Sequence, residues 1–327
     1  MTQKILVTGN LPGAVMDPLK ERYQVEAQLE DRPMDRQQLL SRIGDRDGLL
    51  CMITDAVDAE LLARAPRLKM IANMGVGYNN IDVAAATHRG IPVSNTPGVL
   101  TDATADLTLT LILAVARRVV EGDRRVRDGK FNLWAPFLFL GREVSGKTLG
   151  IVGFGRIGRA VARRAGGFNM RVLYHSRNRL TPAEEKEWSA EYAGLEALLA
   201  EADFVSLHVP LSEETRHLIG AAELSRMKPT AYLINTARGP VVDEKALLAA
   251  LQQGVIAGAG LDVYENEPAL TPGLAEQANV VLLPHVGSAT LETRTGMAAM
   301  AARNLIAGLS GQRPPNLVNP EILSPSR

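Results

Sequence analysis

The sequence predicts an α/β protein with two doubly wound parallel-sheet domains, and three observations support this prediction. Its 327 residues exceed one ordinary core and suit two domains of about 100 to 200 residues each. Short apolar strand patterns alternate with helix patterns along most of the chain, which is typical of parallel sheets covered by helices. One of these strands runs directly into a glycine-rich turn and a helix.

The first hundred residues carry the first block of alternation. Apolar runs predict short strands over 4–9, 48–53, 68–73 and 92–94. Helical periodicity predicts helices between them, for example over 35–43 and 59–65. We expect a parallel sheet with helices on both faces in this block.

A long helix separates the two blocks. The polar segment 101–106 supplies capping residues, and the helix pattern continues to Arg118. Apolar residues lie nearly all round it, so we expect burial on most sides, between domains or between subunits. Its most apolar stretch, 107–116, is shorter than the roughly 20 residues that cross a bilayer. We therefore expect no membrane span.

The second block begins at Lys147 and predicts six strands. They are expected over 148–152, 171–174, 204–208, 231–235, 257–262 and 280–283. A last helix is predicted over 291–310, and the Pro-rich segment from Pro314 onward predicts a loosely ordered end. If the last helix returns to the first block, one domain comprises 1–100 and 291–327, and the other 101–290.

Composition excludes several classes of function. The 36 basic residues balance 36 acidic ones, so the chain lacks the charge excess that binds nucleic acid or a membrane surface. Cys51 is the only cysteine, and its apolar neighbours in the sequence predict a buried thiol without a disulfide. No charged segment followed by a long apolar stretch opens the sequence. We therefore expect a cytoplasmic protein without a secretory signal.

The most informative motif follows the predicted strand over 148–152. It reads Gly153-Phe154-Gly155-Arg156-Ile157-Gly158 and leads into a helix. In this pattern the first glycine permits a tight turn, the second lets the main chain approach a pyrophosphate, and the third lets the helix pack on the strand. The N–H groups at the helix start then face the phosphates. We therefore predict a dinucleotide-binding Rossmann domain, which six strands would complete.

The end of the second strand of this block indicates which dinucleotide binds. Rossmann domains usually place an Asp or Glu there, which binds the adenosine ribose hydroxyls. This chain has Ser176, Arg177 and Arg179 instead. Guanidinium groups form charge-assisted bonds to phosphate, and the missing carboxylate removes a repulsion of the 2′-phosphate. We predict NADPH as the preferred cofactor, with NADH possible; the alternative is that both arginines are solvated loop charges.

Three further segments lie at the ends of predicted strands, where ligands of such sheets bind. They are 233–239, 261–268 and 282–288, and each contributes an ionisable side chain. With the glycine turn and with Asn73-Met74-Gly75-Val76-Gly77-Tyr78-Asn79-Asn80-Ile81-Asp82, they resemble the D-isomer-specific 2-hydroxyacid dehydrogenase family over nearly the whole chain. The pattern is most similar to the glyoxylate and hydroxypyruvate reductases, including those that accept 2-ketogluconate. The resemblance implies a Rossmann domain inserted in a flavodoxin-like substrate domain.

The resemblance implies catalytic roles for three residues. It makes His285 the general acid and base, Glu267 its carboxylate partner, and Arg238 the substrate anchor. Hydride transfer to a 2-keto acid creates an alkoxide that must be protonated, and imidazole is the side chain suited to that transfer near neutrality. A carboxylate beside the imidazolium favours the charged form. A guanidinium can bond both the carboxylate and the carbonyl oxygen of the substrate.

The resemblance also implies contacts with substrate and cofactor. The main-chain N–H groups of Val76 and Gly77 are expected to bind the substrate carboxylate, and domain closure to exclude water. Leu100, Trp134 and Ser288 are the other expected substrate contacts. Beyond the glycine turn and the arginine loop, the expected cofactor contacts are Thr104, Val209, Pro210, Thr215, Thr236, Ala237, Asp262 and Gly287.

A homodimer is a further implication of the resemblance. Trp134 matches an aromatic residue that, in the similar reductases, reaches from one subunit into the active site of the neighbour. A role as an interface anchor is the alternative. Pairing through the cofactor domains would place the helix from Thr101 and the chain up to Gly146 in the interface.

The remaining histidines have no comparable sequence context. We assign His88, His175 and His217 to solvated positions and His208, at a predicted strand end, to a structural role. No group of His, Cys or carboxylate residues has the spacing of metal ligands, so we predict no metal.

These observations together predict an NADPH-dependent reductase that converts glyoxylate to glycolate and hydroxypyruvate to D-glycerate. Two alternatives stay open: an enzyme like D-3-phosphoglycerate dehydrogenase or another D-2-hydroxyacid dehydrogenase, and a nucleotide-sensing, corepressor-like binding protein on the same fold. Formate dehydrogenase is disfavoured because Glu267 is a carboxylate where that enzyme has an amide. The set of Arg238, Glu267 and His285 favours catalysis, because a binding module needs no proton donor.

Overall fold

The structure is a computed structural model that describes residues 2–323. The described residues form two compact units, and each has its own parallel sheet. The first unit takes its described residues from the ranges Met1–Leu100 and Ala289–Arg327, and the second is Thr101–Ser288.

Strands and helices alternate through both units. The strands are β1 (Lys4–Val7), β2 (Gln24–Ala27), β3 (Gly48–Met52), β4 (Met70–Met74), β5 (Val93–Ser94), β6 (Thr148–Val152), β7 (Arg171–His175), β8 (Ala190–Tyr192), β9 (Phe204–Leu207), β10 (Tyr232–Asn235), β11 (Gly258–Leu261) and β12 (Val280–Leu282). The helices are α1 (Gly13–Lys20), α2 (Arg36–Arg42), α3 (Ala59–Ala63), α4 (Val83–His88), α5 (Thr101–Ala116), α6 (Val119–Arg127), α7 (Arg156–Ala165), α8 (Pro182–Glu187), α9 (Leu195–Glu201), α10 (Ala221–Arg226), α11 (Glu244–Gln252) and α12 (Leu291–Leu309). Short 3₁₀ turns cover Gly166–Phe168, Gly239–Val241 and Pro320–Leu323.

The sheet of the first unit has the strand order β2-β1-β3-β4-β5, with every pairing parallel. This is the flavodoxin-like order. The inner strands β1 and β3 are buried along nearly their whole length, as expected where helices cover both faces. Helix α12 returns from late in the chain to pack on β3 and β4. Gly308 permits this approach, because a Cβ there would lie 2.4 Å from Met70 Sδ.

The sheet of the second unit has the order β12-β11-β10-β9-β6-β7-β8, again with every pairing parallel. Apart from a seventh strand, this is the Rossmann order, and the fold class predicted from the sequence is confirmed. The order of the strands reverses between β6 and β9. Ligands of such sheets bind at the carboxyl ends of the strands on either side of this reversal.

Two strands, β2 and β8, were not predicted from the sequence. β8 makes the second sheet seven-stranded where six strands were predicted, and β2 adds an edge to the first sheet. Both are edge strands with largely polar sequences, Ala-Glu-Tyr and Gln-Val-Glu-Ala, and most of their residues reach solvent. An edge strand buries too little surface to require an apolar run, so periodicity did not reveal them.

The expected loose end from Pro314 onward is also corrected, as far as the described residues extend. The N–H of Val318 donates to the carbonyl of Val93 at 2.7 Å. Asn319 is buried, accepts from the N–H of Val93 at 2.8 Å, and donates to the carbonyl of Ile91 at 3.0 Å. These bonds fix the segment against β5. Residues 324–327 lie outside the described part of the chain.

Helix α5 is the long helix predicted between the two blocks. Its apolar sides pack on α7 and on β10 and β11 of the second unit. Its exposed side carries Asp102 and Asp106, which pair with arginines of α7: Asp102 lies 2.7 Å from Arg163 and Asp106 lies 2.5 Å from Arg164. Within residues 2–323, no helix is both long enough and apolar enough to cross a membrane.

Candidate active site

The turn after β6 has the geometry that the glycine motif predicts. Gly153 has a φ of +97°, and a Cβ there would lie 2.7 Å from the carbonyl carbon of His208. A Cβ on Gly158 would lie 2.3 Å from the carbonyl oxygen of Gly153, so only glycine lets α7 pack this close. Around Gly155 no heavy atom lies within 4 Å of the Cβ position. Protein atoms therefore leave no space for a Cβ at Gly153 and Gly158, whereas the Cβ position of Gly155 faces open space.

The start of α7 can bind an anion at this open glycine. Gly155 is the N-cap and makes no side-chain capping bond. No capping side chain therefore accepts from the first N–H groups of the helix, which point along its axis. The helix has ten residues, and Arg156 is exposed at its first position. Phe154 is buried, with its ring centroid 4.6 Å from that of Tyr174, and this contact fixes the turn against β7. These features fit the pyrophosphate of a dinucleotide.

The two arginines predicted to bind a phosphate lie in the loop after β7 and differ in exposure and in partners. Arg177 is 86% exposed, and the carboxylate with which it pairs, that of Glu214, lies 3.7 Å away and is 74% exposed. Arg179 instead forms an ion pair with Glu185, at 2.9 Å, and its guanidinium lies over the ring of Tyr192. An exposed pair at 3.7 Å constrains Arg177 little, whereas Arg179 is held by two neighbours.

The turns after β9 and β10 lie at the same edge of the sheet. Thr215 donates its hydroxyl proton to the carbonyl of Pro210 at 2.6 Å, which closes the turn after β9. After β10, the Thr236 hydroxyl lies 3.0 Å from that of Thr108 on α5. Two residues expected to contact the cofactor, Thr215 and Thr236, thus use their hydroxyls to hold the loops that would line its site.

Arg238 follows β10 in a closely packed turn. Asn235 donates its side-chain amide to the carbonyl of Arg238 at 2.9 Å and accepts from the N–H of Ala237 at 3.0 Å. A Cβ on Gly239 would lie 1.8 Å from the carbonyl carbon of Tyr264, so this turn packs directly on the segment that follows β11. Desolvation lowers the pKa of Arg238, while the charge of Glu267 acts to raise it. The guanidinium is therefore a cation held largely away from solvent.

Glu267 and His285 form the pair that the resemblance implies. The Nδ1 atom of His285 lies 2.8 Å from Glu267 Oε2, and the N–H of Tyr264 donates to Glu267 Oε1 at 2.9 Å. Burial acts to raise the pKa of Glu267, and the hydrogen bond and charge of His285 act to lower it. The N–H of Tyr264 and the charge of Arg238 act in the same direction, so the pKa of Glu267 lies below its ordinary value. The carboxylate is therefore ionised at neutral pH, where it can orient the imidazole and stabilise its charged form.

A buried carboxylate fixes the turn that carries His285. His285 has a φ of +54°, a left-handed conformation that residues with a side chain adopt infrequently. Asp262 is buried, and its two oxygens accept the N–H groups of Val286 and Gly287, each at 2.7 Å. Burial raises the pKa of Asp262, while these two N–H groups act to lower it. Thr104 on α5 adds a bond from its hydroxyl to the carbonyl of Gly287 at 3.2 Å.

The loop after β4 in the first unit turns its carbonyl groups inward. The Asn73 side chain donates to the carbonyl of Gly77 at 2.8 Å, and the Asn95 side chain donates to the carbonyl of Val76 at 2.7 Å. Within residues 2–323, the N–H groups of Val76 and Gly77 have no hydrogen-bond partner. Consecutive N–H groups arranged in this way can bind an anion such as a carboxylate. Leu100, which the resemblance places beside the substrate, is buried.

Among the remaining histidines, His217 is exposed, as predicted, whereas His175 differs from its predicted solvated position. His217 lies with its Nε2 2.7 Å from Glu265, because the chain folds back beside the segment after β11. His175 is partly buried, and its Nδ1 lies 3.2 Å from the carbonyl of Ala193. His88 is exposed. His208 lies with its Nε2 2.8 Å from the Ser206 hydroxyl, and desolvation lowers its pKa to about 3.

The segment from α6 to residue 140 exposes many apolar side chains. Trp134 is 78% exposed and Phe137 is 87% exposed. The other exposed apolar residues of the segment are Val119, Val120, Val126, Phe131, Leu133, Leu138 and Leu140. Among the described residues, no group of three or more His, Cys, Asp or Glu side chains could hold a metal ion.

Comparison with known proteins decides the family. A family model described as "D-isomer specific 2-hydroxyacid dehydrogenase, NAD binding domain" matches residues 109–287. A glyoxylate reductase of Thermococcus litoralis is 53% identical over 330 residues, which cover 100% of this chain and 99% of that protein. The chain belongs to the D-isomer-specific 2-hydroxyacid dehydrogenase family. It is an NAD(P)-dependent dehydrogenase.

Solved structures of similar proteins support the same family. A protein from Thermus thermophilus is 49% identical, with a TM-score of 0.89, and the match covers 97% of this dehydrogenase and 100% of that chain. An NADPH-dependent glyoxylate/hydroxypyruvate reductase from Sinorhizobium meliloti, in complex with NADP and malonate, is 34% identical. Its TM-score is 0.87, and 97% of each chain is covered.

Several residues that position the site of this dehydrogenase were not predicted from the sequence. Asn235 and Thr108 hold the turns after β10, and Asn73 and Asn95 hold the loop after β4. A signal existed for Asn235, since an Asn at the end of a strand often bonds the main chain two residues on. Thr108 and Asn95 lie far in sequence from the groups they contact, so no local pattern could identify them.

Proposed function

We propose that this dehydrogenase is an NADPH-preferring reductase of small 2-keto acids, with glyoxylate and hydroxypyruvate as its main substrates. The pairing of His285 with Glu267 beside the desolvated Arg238 carries the proposal. This set combines a proton donor, a carboxylate that orients it and a cation for the substrate carboxylate. The similarity to the Thermococcus litoralis glyoxylate reductase supports the substrate class.

His285 supplies the proton in this mechanism. When bound, the reduced nicotinamide supplies the hydride that the keto carbon of the substrate accepts. The Nδ1 atom of His285 is engaged by Glu267, which leaves Nε2 to donate a proton to the carbonyl oxygen. Glu267 stabilises the imidazolium before the transfer, and the Asp262 clamp on Val286 and Gly287 keeps the ring in place.

Arg238 orients the substrate. A planar guanidinium can bind the carboxylate through two hydrogen bonds and polarise the neighbouring carbonyl. Its desolvation strengthens both interactions, because fewer water molecules compete for its N–H groups. We also propose that the N–H groups of Val76 and Gly77 contact a carboxylate, because within residues 2–323 neither N–H group has a hydrogen-bond partner.

The preference for NADPH rests on the loop after β7. Ser176 and Arg177 stand where Rossmann domains that bind NAD usually place a carboxylate. The weak pairing and high exposure of Arg177 favour a role in binding the 2′-phosphate. The Sinorhizobium meliloti reductase, described as NADPH-dependent and solved with NADP, supports this assignment.

A homodimer forms part of the proposal. The exposed apolar segment from α6 to Leu140 is unusual for the surface of a monomer and matches the region that the resemblance places in a subunit interface. Burial of Trp134 and Phe137 against a second copy would remove the two most exposed aromatic side chains of this segment from water.

A substrate and cofactor panel tests the proposed function. Glyoxylate, hydroxypyruvate, 2-ketogluconate, pyruvate and 3-phosphohydroxypyruvate are each assayed with NADPH and with NADH, and kcat/KM is compared. We expect glyoxylate or hydroxypyruvate with NADPH to give the highest value. We also expect Arg177→Ala to weaken NADPH binding far more than NADH binding. A higher kcat/KM with NADH, or equal losses of NADPH and NADH binding in Arg177→Ala, would reject the cofactor assignment. If 3-phosphohydroxypyruvate were the best substrate, the result would favour a phosphoglycerate dehydrogenase.

A further inference from the structure

Glu185 on α8 has its carboxylate beside the loop that follows β7. Its Oε1 accepts from Arg179 Nε and from the Tyr174 hydroxyl, each at 2.9 Å, and its Oε2 accepts from Arg179 Nη2 at 3.2 Å. The Glu185 side chain is only 17% exposed. Hydrogen bonds from Arg179 and from Tyr174 hold the pKa of Glu185 below its ordinary value, so this carboxylate is ionised.

The same contacts fix the course of the loop. The Tyr174 hydroxyl accepts from the N–H of Leu180 at 2.8 Å, and the Arg179 guanidinium lies 5.1 Å from the centroid of the Tyr192 ring. Arg179 is thus held from two sides by α8 and β8. Arg177, two residues earlier, has a weak and exposed partner. The two arginines of the loop therefore differ in how freely they can bind an added anion.

The neighbouring carboxylate does not share this arrangement. Glu184 completes a capping box with Thr181 at the start of α8 and also pairs with Arg159 at 3.4 Å. Glu185 is the carboxylate of α8 that forms an ion pair with a guanidinium of the loop. This loop follows the second strand of the Rossmann sheet, where the ribose of the adenosine binds.

We propose that Glu185 determines how tightly the enzyme binds the 2′-phosphate of its cofactor, by holding Arg179 in a bidentate ion pair. The inference rests on the proposed preference for NADPH. To bind the phosphate, Arg179 must weaken or leave its pair with Glu185, so part of its binding energy is offset. The cofactor's phosphate is then bound mainly by Arg177 and Ser176.

The test measures equilibrium binding and not turnover. In Glu185→Gln the side chain keeps its size and an oxygen that accepts from Tyr174, but it no longer attracts Arg179 as a charge. We expect this variant to bind 2′,5′-ADP and NADPH about five-fold more tightly, as measured by titration calorimetry at low salt. Its affinity for NADH is expected to change by less than about two-fold. The matched control is Glu191→Gln, which removes a carboxylate of β8 that pairs with Arg171 at the start of β7. Unchanged affinity for 2′,5′-ADP in Glu185→Gln, or an equal gain in the control, would overturn the inference.

A double variant separates competition from simple repulsion. If Glu185 acts by holding Arg179, the gain from Glu185→Gln disappears when it is combined with Arg179→Ala. A gain of the same size in both backgrounds would show that Glu185 only repels the phosphate, and the proposed competition would be wrong.

Arg177→Ala distinguishes this failure from that of the proposed function. A loss of 2′,5′-ADP binding in Arg177→Ala, with no change in Glu185→Gln, rejects the role of Glu185 and leaves the NADPH preference standing. If Arg177→Ala binds 2′,5′-ADP as the wild type does, the phosphate site itself is wrong and the role of Glu185 is rejected with it.

Discussion

At the scale of single residues, each ionisable group of the site has a partner that fixes it. The N–H of Tyr264 holds Glu267, and Asp262 holds the turn after His285 through two N–H groups. Main-chain N–H groups of this kind do not titrate, so they hold both carboxylates in place without a change of charge. In the proposed mechanism, the pair of Glu267 and His285 is therefore preorganised, which lowers the reorganisation needed during proton transfer.

Glu267→Gln tests the partner of His285. The variant keeps the shape of the side chain but removes the charge that stabilises the imidazolium, so we expect kcat for glyoxylate to fall by about 10- to 100-fold. The affinity for NADPH, measured by fluorescence titration, is expected to change little. Glu265→Gln is the matched control, because Glu265 also pairs with a histidine, His217, at 2.7 Å. Similar losses in both variants would show that Glu267 has no specific role.

His208 gives a prediction about stability. Its pKa is lowered from 6.5 to about 3 by desolvation, so the unfolded chain binds a proton between these values that the folded chain does not. The folded state is therefore at full stability above pH 6.5 and loses stability as the pH falls toward 3. We expect His208→Gln to remove this loss, which amounts to about 2 to 3 kcal/mol at pH 4.5.

Urea unfolding at pH 7 and at pH 4.5 measures the effect. The fall in unfolding free energy between these pH values is expected to be smaller in His208→Gln than in the wild type. The control is His88→Gln, at an exposed position. Equal falls in the wild type and both variants would mean that His208 is protonated in the folded state.

At the scale of elements, the site is built from the turns that leave β6, β7, β9, β10, β11 and β12. The carboxyl ends of parallel strands lie at one edge of a sheet, so residues distant in sequence are brought to that edge. Two of these turns, those after β6 and β10, depend on close approaches of main chains at three glycines. Gly153 lies against His208, Gly158 against Gly153, and Gly239 against Tyr264.

Substitution by alanine is expected to have different effects at two glycines of the motif. Gly158→Ala places a Cβ 2.3 Å from a main-chain oxygen, so we expect a loss of about 2 kcal/mol or more in unfolding free energy. Gly155→Ala meets no protein atom within 4 Å, so its unfolding free energy is expected to stay near the wild-type value. Its methyl group would stand in the path of the pyrophosphate, and we expect NADPH to bind at least about ten-fold more weakly.

Thermal unfolding and NADPH titration of the two variants check this pair. Each glycine serves as the control for the other, because the substitutions are identical and lie three residues apart in the sequence. Normal NADPH binding in Gly155→Ala would contradict the proposed path of the cofactor.

The elements that the sequence predicted well are those that burial determines. The inner strands are continuous apolar runs, and the glycine motif leaves few alternatives to a strand, a tight turn and a helix. The edge strands β2 and β8 were missed because little of their surface is buried. The segment 314–319 was predicted as loose because its order comes from Asn304 and Asn319, whose partners lie far away in the chain.

The candidate site likewise has features that the sequence predicted and features that only the structure shows. The residue types at the strand ends and their order along the chain pointed to a dehydrogenase. The diversion of Arg179 to Glu185, and the pairing of His217 with Glu265, depend on which side chains meet in space. A sequence pattern carries no information on such competition between neighbours, so both had to be read from the structure.

At the scale of the whole molecule, the exposed apolar segment between α6 and Leu140 predicts self-association. Replacing Trp134 and Phe137 together by Ser removes two large aromatic side chains, which are 78% and 87% exposed in the isolated chain. We expect the wild type to sediment as a dimer and the double variant to shift toward the monomer, because apolar burial drives such interfaces.

Sedimentation velocity at several protein concentrations measures the shift. Leu29→Ser is the control, since Leu29 is 73% exposed and lies in the first unit, outside the segment from α6 to Leu140. A wild-type protein that stays monomeric at high concentration would remove the basis for the proposed dimer.

The most direct test of the central claim is the kinetics of His285→Asn with glyoxylate and NADPH. If His285 donates the proton, kcat is expected to fall by about 10²- to 10⁴-fold, while the Kd for NADPH stays within a small factor of the wild-type value. His217→Asn, which alters the other histidine–glutamate pair, is expected to keep nearly normal kcat. Turnover by His285→Asn close to that of the wild type would contradict the proposed mechanism.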